Sequence, residues 1–186
     1  MKKGIEMETM IVLAMHGAPP NDFPKPDLAK YFELHAQMEA NHGPAHPVNA
    51  AMTDLFSRLD EKMRAWPRNE RNDPFYAGSM ALARELETHS GSRVLVGFNE
   101  YCAPSLEEAF VEAVAAGAER IAVITPMMTA GGSHAEVDIP RAIQKAQARF
   151  LDIEFIYAWP FERSQIASFL ADQLANFLAH RQQISA

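Results

Sequence analysis

The chain has 186 residues, of which 48% are hydrophobic and 22% charged, a composition typical of soluble globular proteins. This length suffices for one domain with a sizeable core, so we expect a single domain over residues 1–186. The formal net charge of −7 gives no electrostatic reason to expect a nucleic-acid partner. No apolar run reaches the roughly 20 residues that cross a bilayer, which argues against a membrane partner. Cys102 is the single cysteine, which excludes an intrachain disulfide and fits a reducing cytoplasm.

Short apolar runs rich in β-branched residues predict the β-strands. They occupy residues 10–16, 93–100, 120–128 and 153–160. Helical patterns follow the last three of these runs, at residues 105–117, 138–150 and 164–181. Repeated strand–helix units predict right-handed crossovers, and hence an α/β fold whose parallel sheet has helices on both faces. We predict four strands in the order 2-1-3-4, a Rossmann-like or flavodoxin-like arrangement.

The three helices after the strands carry local signals. Ser105 and Glu108 have the spacing of a capping box, and Gly117 stands where the helix is expected to end. Asp138, which shortly precedes a proline, is a candidate N-cap. The last helix has apolar side chains at helical spacing, which predicts a stripe that faces the core. Its members are Ile166, Phe169, Leu170, Leu174, Phe177 and Leu178.

The segment of residues 18–92 is longer than a crossover between two parallel strands requires. It opens with a proline-rich stretch that cannot be helical throughout. Helical patterns follow at residues 28–40, 48–66 and 74–91, and the sequence NHGPAHP (41–47) separates the first two. One helix would suffice to connect the strands. The surplus predicts a helical insertion that forms a wall or lid over one side of the sheet.

Ionisable side chains stand at the ends of the first three predicted strands. His16 ends the first, Glu100 ends the second, and His134 lies just after the third. Ligands of open α/β sheets bind outside the carboxyl ends of the strands, and neighbouring strands lie about 4.8 Å apart. Two imidazoles and a carboxylate with open positions suit a divalent transition metal held for chemistry. On spacing alone, the alternative of ordinary hydrogen-bonded side chains stays open.

Glycines adjoin both histidines. Gly17 follows His16, and Gly131 and Gly132 precede Ser133 and His134. Glycine permits tight turns and the close approach of a flat ligand to the backbone. The backbone N–H groups around Ser133 could also form an anion-binding nest. These residues are therefore candidates for substrate binding.

Four further residues are candidates for substrate contacts. Arg141 and Lys145 share one face of the helix after the third strand and could hold carboxylates, with a solvated helix face as the alternative. Met127 and Met128 could form soft ligands or an apolar floor, with simple packing as the alternative.

Three motifs at the ends of consecutive strands resemble those of the class II tetrapyrrole chelatases, most of all the short CbiX-type sirohydrochlorin cobaltochelatases and ferrochelatases. They are AMHGAP, GFNEYCAPSLEEA and PMMTAGGSHAEVDIP. That family has a histidine-glycine pair after its first strand and a glutamate followed by a Pro-Ser-Leu helix start after its second. After its third strand it has the signature Gly-(Gly)-x-His-x-x-x-Asp-Ile-Pro. The chain departs from this pattern at Ala18, where the family often has serine, and residues 20–73 match no part of the short members.

The resemblance implies a chelatase fold that inserts a divalent metal, Co²⁺, Fe²⁺ or Ni²⁺, into a tetrapyrrole without ATP or another nucleotide. Such metal insertion serves the biosynthesis of sirohaem and cobalamin. The resemblance implies that His16, Glu100 and His134 bind the metal and are catalytic, and an imidazole such as that of His134 could accept a pyrrole proton. A short member forms half of a chelatase core, so a homodimer is implied. A non-catalytic carrier of metal or tetrapyrrole with the same fold is the alternative.

Overall fold

The structure is a computed structural model that describes residues 7–40 and 50–184. The predicted helix break at residues 41–47 lies outside the described residues. In chain order the elements are β1 (Thr9–Met15), α1 (Lys25–Ala40), α2 (Ala50–Arg64), α3 (Pro74–Ser90), β2 (Val94–Phe98), α4 (Leu106–Ala115), β3 (Arg120–Ile124), a π-helical turn (His134–Asp138), α5 (Ile139–Arg149), β4 (Glu154–Tyr157) and α6 (Arg163–Ile184).

The strands form one parallel sheet in the order β2-β1-β3-β4, which confirms the predicted α/β fold and strand order. Met15 pairs with Phe98 of β2, and Leu13 pairs with Ile124 of β3. The carboxyl ends of these three strands therefore meet at one edge of the sheet. The loops that follow them, which carry the two predicted histidines and the glutamate, start side by side.

Helices cover both faces of the sheet. On one face α4 and α5 pack on β1, β3 and β4 around Phe110, Ile121 and Ile139, all fully buried. On the other face α3 packs on β1 and β2. A Cβ added to Gly97 would lie 2.9 Å from the Leu106 side chain, so glycine lets α4 approach β2 closely.

The helices α1 and α2 form a separate apolar cluster at the carboxyl edge of the sheet. Its buried members are Phe23, Tyr31, Leu34, Leu59 and Met63. Because α3 is the crossover helix that packs on the sheet, the surplus predicted for residues 18–92 consists of α1, α2 and their connections. This cluster also packs against the loop after β2, which places the insertion beside the ends of the strands.

The helix-end predictions had mixed outcomes. The capping box at α4 is confirmed, because the Ser105 hydroxyl accepts a hydrogen bond from the Glu108 N–H and the Glu108 carboxylate accepts one from the Ser105 N–H. Gly117 has a φ of +94°, as expected just beyond the helix end. The prediction of Asp138 as an N-cap is wrong. Asp138 lies within a continuous helical run, because the π-helical turn leads directly into α5, and its carboxylate caps no backbone N–H.

The prediction that α6 presents a core-facing stripe is wrong for the described chain. The side chains of the predicted stripe beyond Ile166 are between 54% and 67% exposed. They are Phe169, Leu170, Leu174, Phe177 and Leu178. An amphipathic pattern shows which side of a helix is apolar but not what covers it, and α6 makes little contact with the sheet. In the described parts of the chain, no helix has the length and apolar character needed to span a membrane.

Candidate metal centre

The two histidines and the glutamate meet at the carboxyl edge of the sheet. His16 follows β1 directly, Glu100 lies two residues beyond β2, and His134 begins the π-helical turn. The Glu100 Oε1 atom lies 3.1 Å from His16 Nδ1 and 3.6 Å from His134 Nε2. One potential ligand atom from each residue falls within 4.8 Å of the others. The imidazole rings meet edge to face, with their centroids 4.5 Å apart.

These separations suit a shared cation. Atoms bound tetrahedrally to one ion at about 2.1 Å lie about 3.4 Å from each other. The 3.6 Å between His134 Nε2 and Glu100 Oε1 is too long for a hydrogen bond but close to that separation. His16 keeps 45% of its side chain exposed, so the centre is open on one side. Three protein donors with open positions are typical of catalytic metal sites, whereas structural sites are closed by four.

Asp138 orients the His134 ring. The π-helical turn brings the Asp138 Oδ2 atom to 2.8 Å from His134 Nδ1. A carboxylate can only accept this hydrogen bond, so the proton sits on Nδ1, and Nε2 keeps its lone pair on the side of Glu100. Sequence reasoning missed this role of Asp138. The spacing of four residues on a helical segment was the signal that could have revealed it.

The loops that carry His16 and Glu100 are in direct contact. Gly17 has a φ of +108°, and a Cβ at this position would lie 1.9 Å from the Glu100 carbonyl oxygen. The Glu100 N–H donates a hydrogen bond to the His16 carbonyl at 3.0 Å. Gly17, predicted as a substrate contact, thus leaves room for the Glu100 backbone. The His16 ring is held beside the same loop, with its Nδ1 atom 2.8 Å from the Gly17 carbonyl oxygen.

A cavity of about 650 Å³ is lined by two of the three residues, Glu100 and His134. Glu100, His134 and Asp138 line it on the sheet side, together with Ser133 and Arg141. The opposite wall belongs to α1 and α2 and includes Tyr31, His35, Phe56, Asp60 and Arg64.

Aromatic rings make up part of the insertion wall. The rings of Tyr31 and Phe56 stack at a centroid distance of 4.8 Å. The Tyr31 hydroxyl donates a hydrogen bond to Asp60 at 3.2 Å. Burial, and then the charge of Asp60, raise the pKa of Tyr31 well above its usual value, so the phenol stays neutral. The insertion wall therefore presents the ring of Phe56 and the charged side chains of Asp60 and Arg64 to the cavity, with the neutral phenol of Tyr31 buried among them.

Several predicted substrate residues lie away from this cavity. Lys145 sits one helical turn beyond Arg141, with its ammonium group 3.8 Å from the Glu107 carboxylate. Met127 packs against the core next to β3. Met128 lines a different cavity, of about 680 Å³, between the loop after β3 and the start of α6.

The predicted anion nest at Gly131 has a partner within the protein. The Gly131 N–H donates a hydrogen bond to the Glu136 carboxylate at 2.8 Å. Gly131 has a φ of +95°, whereas a Cβ on Gly132 would meet no atom within 4 Å. The glycine turn thus shapes the approach to His134, with one of its N–H groups already bound to a carboxylate.

Fold and site together define a parallel α/β protein with an open His-Glu-His centre at the carboxyl edge of its sheet. The CbiX family model matches residues 70–176, which is more than half of the chain. The chain therefore belongs to the CbiX family, which confirms the resemblance seen in the strand-end motifs.

The chain is also similar to individual proteins. It is 38% identical over 66 residues to a sirohydrochlorin ferrochelatase from Priestia megaterium, a match that covers 36% of this chain and 24% of that protein. The chain thus spans about a quarter of the length of this curated relative.

Two solved structures align with most of the chain. The sirohydrochlorin chelatase SirB from Bacillus subtilis subspecies spizizenii, in complex with cobalt, aligns at a TM-score of 0.47 and 19% identity, over 83% of this chain and 44% of that one. A CbiX protein from Marinobacter aquaeolei VT8 aligns at a TM-score of 0.48 and 16% identity, over 92% of this chain and 98% of that one.

Proposed function

We propose that this protein inserts a divalent metal ion into sirohydrochlorin or a closely related tetrapyrrole. One observation carries the proposal: ligand atoms of His16, Glu100 and His134 lie within 4.8 Å of one another beside a cavity of about 650 Å³. Membership of the CbiX family and the similarity to a sirohydrochlorin ferrochelatase support the choice of substrate.

The centre holds the metal ion loosely before transfer. Two neutral imidazoles and a carboxylate suit Co²⁺, Fe²⁺ and Ni²⁺, and we propose these as the metal substrates. Three protein ligands leave positions for water, which the macrocycle nitrogens replace one after another. Four nitrogens in one ring bind the ion more tightly than the three side chains do, so the transfer proceeds without ATP or another nucleotide.

Metal insertion also releases two pyrrole protons, which need acceptors. Once the ion moves into the macrocycle, His134 Nε2 and the Glu100 carboxylate lose their bound cation. Each can then accept one proton, so the +2 charge of the ion is exchanged for two protons at the same place. The hydrogen bond from His134 Nδ1 to Asp138 supports this step, because the carboxylate stabilises the imidazolium that forms.

The cavity offers a flat ligand a site between the sheet edge and the insertion. Its volume lies in the usual range of roughly 300–1,000 Å³ for small-molecule sites. The macrocycle lies against the ring of Phe56 on the insertion wall, with its centre towards Glu100. Arg141, on the sheet side of the same cavity, pairs with a carboxylate of the substrate.

A spectrophotometric metallation assay tests the proposal. Sirohydrochlorin is mixed with Co²⁺, Fe²⁺ or Ni²⁺ and the protein without nucleotide, and the absorption bands of the free macrocycle are followed. We expect them to disappear faster than without protein, and His134→Ala to lose this acceleration. His89→Ala serves as the matched control, because His89 on α3 has a side chain that is 77% exposed and lies outside the cavity.

The outcome of this assay separates the proposal from the carrier alternative. A carrier would shift the macrocycle spectrum on binding without accelerating metallation. Equal metallation rates for the wild-type protein and the His134→Ala variant would contradict the proposed function.

We further propose that the working form is a homodimer in which a second copy covers α6. Between Phe169 and Leu178 the apolar side chains of α6 are more than half exposed, and a contiguous exposed apolar patch marks a protein interface. The sheet offers a second uncovered apolar surface. Ile156 of β4 pairs with Ala122 of β3 and is 40% exposed, because α3 lies over β2 on that face.

Substitutions on the two sides of α6 test the dimer. Phe177 is 67% exposed, so Phe177→Asp leaves the fold of the single chain intact. Viewed along the helix axis, Ser168 lies on the side of α6 opposite to Phe177. Ser168→Asp is therefore the control. We expect light scattering to give a dimer for the wild-type protein and for Ser168→Asp, and a monomer for Phe177→Asp. A monomeric wild-type protein would contradict this proposal.

A further inference from the structure

Two arginines of the insertion donate hydrogen bonds to the backbone of the loops that carry His16 and Glu100. Arg64, the last residue of α2, donates hydrogen bonds to the carbonyls of Cys102 at 2.8 Å and Asn99 at 3.4 Å. Both acceptors lie in the loop that carries Glu100. No sequence signal marks Arg64 for this task, because its partners lie more than 30 residues further along the chain.

Arg68, just beyond α2, connects both loops. It donates hydrogen bonds to the carbonyls of Ala18, two residues after His16, and of Tyr101, the residue after Glu100. Its charge is balanced by Asp73, and the side chains of this ion pair are 4% and 1% exposed. Removal of either partner would leave a buried charge uncompensated, so loss of this pair would be strongly destabilising.

The Glu100 loop needs such support. Tyr101 has a φ of +60°, a left-handed conformation that an L-residue with a side chain rarely adopts. Backbone strain of this kind persists only where surrounding contacts impose it, and it is common at functional sites. The arginine hydrogen bonds to the carbonyls of Asn99, Tyr101 and Cys102 enclose Glu100 on both sides. The direction of the Glu100 side chain therefore depends on the insertion.

We propose that Arg64 and Arg68 are positioning residues through which the insertion sets the coordination geometry of the metal centre. The inference rests on the proposed function, because it assigns these residues to the metal site of that function. The arginines act on the backbone beside the ligands. On this view the α1–α2 insertion is a support for the centre as well as a wall of the cavity.

Arg64 is the better residue for a test. Its side chain is 23% exposed, whereas loss of the buried Arg68 would disrupt folding. Arg64→Met keeps much of the apolar stem and removes the donors. Asp60, the other partner of Arg64, keeps the hydrogen bond from Tyr31. Arg58→Met is the matched control, since Arg58 lies on the same helix and pairs with Asp54 at the surface, both 66% exposed.

The experiment measures Co²⁺ binding alone, so that any contact of Arg64 with the tetrapyrrole plays no part. Co²⁺ is titrated calorimetrically into each protein at a temperature where circular dichroism shows it to be fully folded. The visible absorption of bound Co²⁺ is recorded as well, because it reports the coordination geometry. We expect Arg64→Met to bind Co²⁺ about tenfold more weakly and with an altered spectrum. Arg58→Met should match the wild type in both.

The outcomes separate this inference from the function on which it rests. If wild-type protein binds Co²⁺ and Arg64→Met matches it in affinity and spectrum, the positioning role is refuted and the proposed function stands. A lower melting temperature with unchanged affinity and spectrum would assign Arg64 to stability alone and would also refute the inference. If the wild-type protein does not bind Co²⁺, the proposed function fails and the inference fails with it.

Discussion

The contact between the His16 and Glu100 loops predicts a large effect of the substitution Gly17→Ala. A Cβ at this position would lie 1.9 Å from the Glu100 carbonyl oxygen, whereas real Cβ contacts essentially never fall below 3.0 Å. The carbonyl would have to move by more than an ångström. It also accepts the hydrogen bond of the Cys102 N–H at 2.7 Å, which the movement would break.

The magnitude follows from two contributions. The φ of +108° at Gly17 costs an alanine about 1–2 kcal/mol. Loss of the hydrogen bonds from Cys102 N–H to Glu100 and from Glu100 N–H to His16 costs about 1 kcal/mol each. We therefore expect Gly17→Ala to lower the free energy of unfolding by about 3–4 kcal/mol, and to weaken Co²⁺ binding because Glu100 is displaced.

Urea unfolding followed by circular dichroism measures this change, and Gly78→Ala provides the control. Gly78 lies on the exposed side of α3, and a Cβ there would meet no atom within 4 Å. Alanine at that position should raise the free energy of unfolding by about 0.5–1 kcal/mol. A Gly17→Ala variant as stable as the wild type, with unchanged Co²⁺ affinity, would refute the reasoning about the paired loops.

Two further predictions concern Asp138 and Cys102. Asp138→Asn should weaken Co²⁺ binding in calorimetric titration by tenfold or more, because an amide no longer fixes the proton of His134 on Nδ1. Asp152→Asn is the control, because Asp152 is exposed. Equal Co²⁺ affinities for the two variants would contradict the role of Asp138. Burial raises the pKa of the Cys102 thiol, so the reactive thiolate is scarce at pH 8. Iodoacetamide should modify the native protein at less than a tenth of the rate seen in urea, and similar rates would show that the thiol is accessible.

The sheet and the strand-end residues were predictable from sequence because local rules determine them. Apolar runs mark strands, and parallel strands bring their carboxyl ends to one edge. His16 and Glu100 follow strands that are paired in register, so their proximity required only the correct strand order. The glycine beside His16 was also a correct sign of a close approach, but the approaching group is the Glu100 carbonyl.

Other features lay beyond sequence reasoning because they depend on long-range contacts. The hydrogen bonds from Arg64 and Arg68 to the Glu100 loop connect segments more than 30 residues apart, with no periodicity to reveal them. The packing partner of α6 could not be predicted either. Its apolar pattern is the same whether its own chain or another chain packs against it. Asp138 was assigned to the backbone because residue type at a helix start favours a cap, whereas the π-helical turn directs its carboxylate to His134.

The most direct test of the metal centre is a crystal structure of the protein grown with Co²⁺, with diffraction data collected at the cobalt absorption edge. We predict one anomalous peak per chain at the edge of the sheet, about 2.0–2.2 Å from an imidazole nitrogen of His16, an imidazole nitrogen of His134 and a carboxylate oxygen of Glu100. A cobalt peak that touches none of these three side chains, or no peak at saturating Co²⁺, would contradict the account.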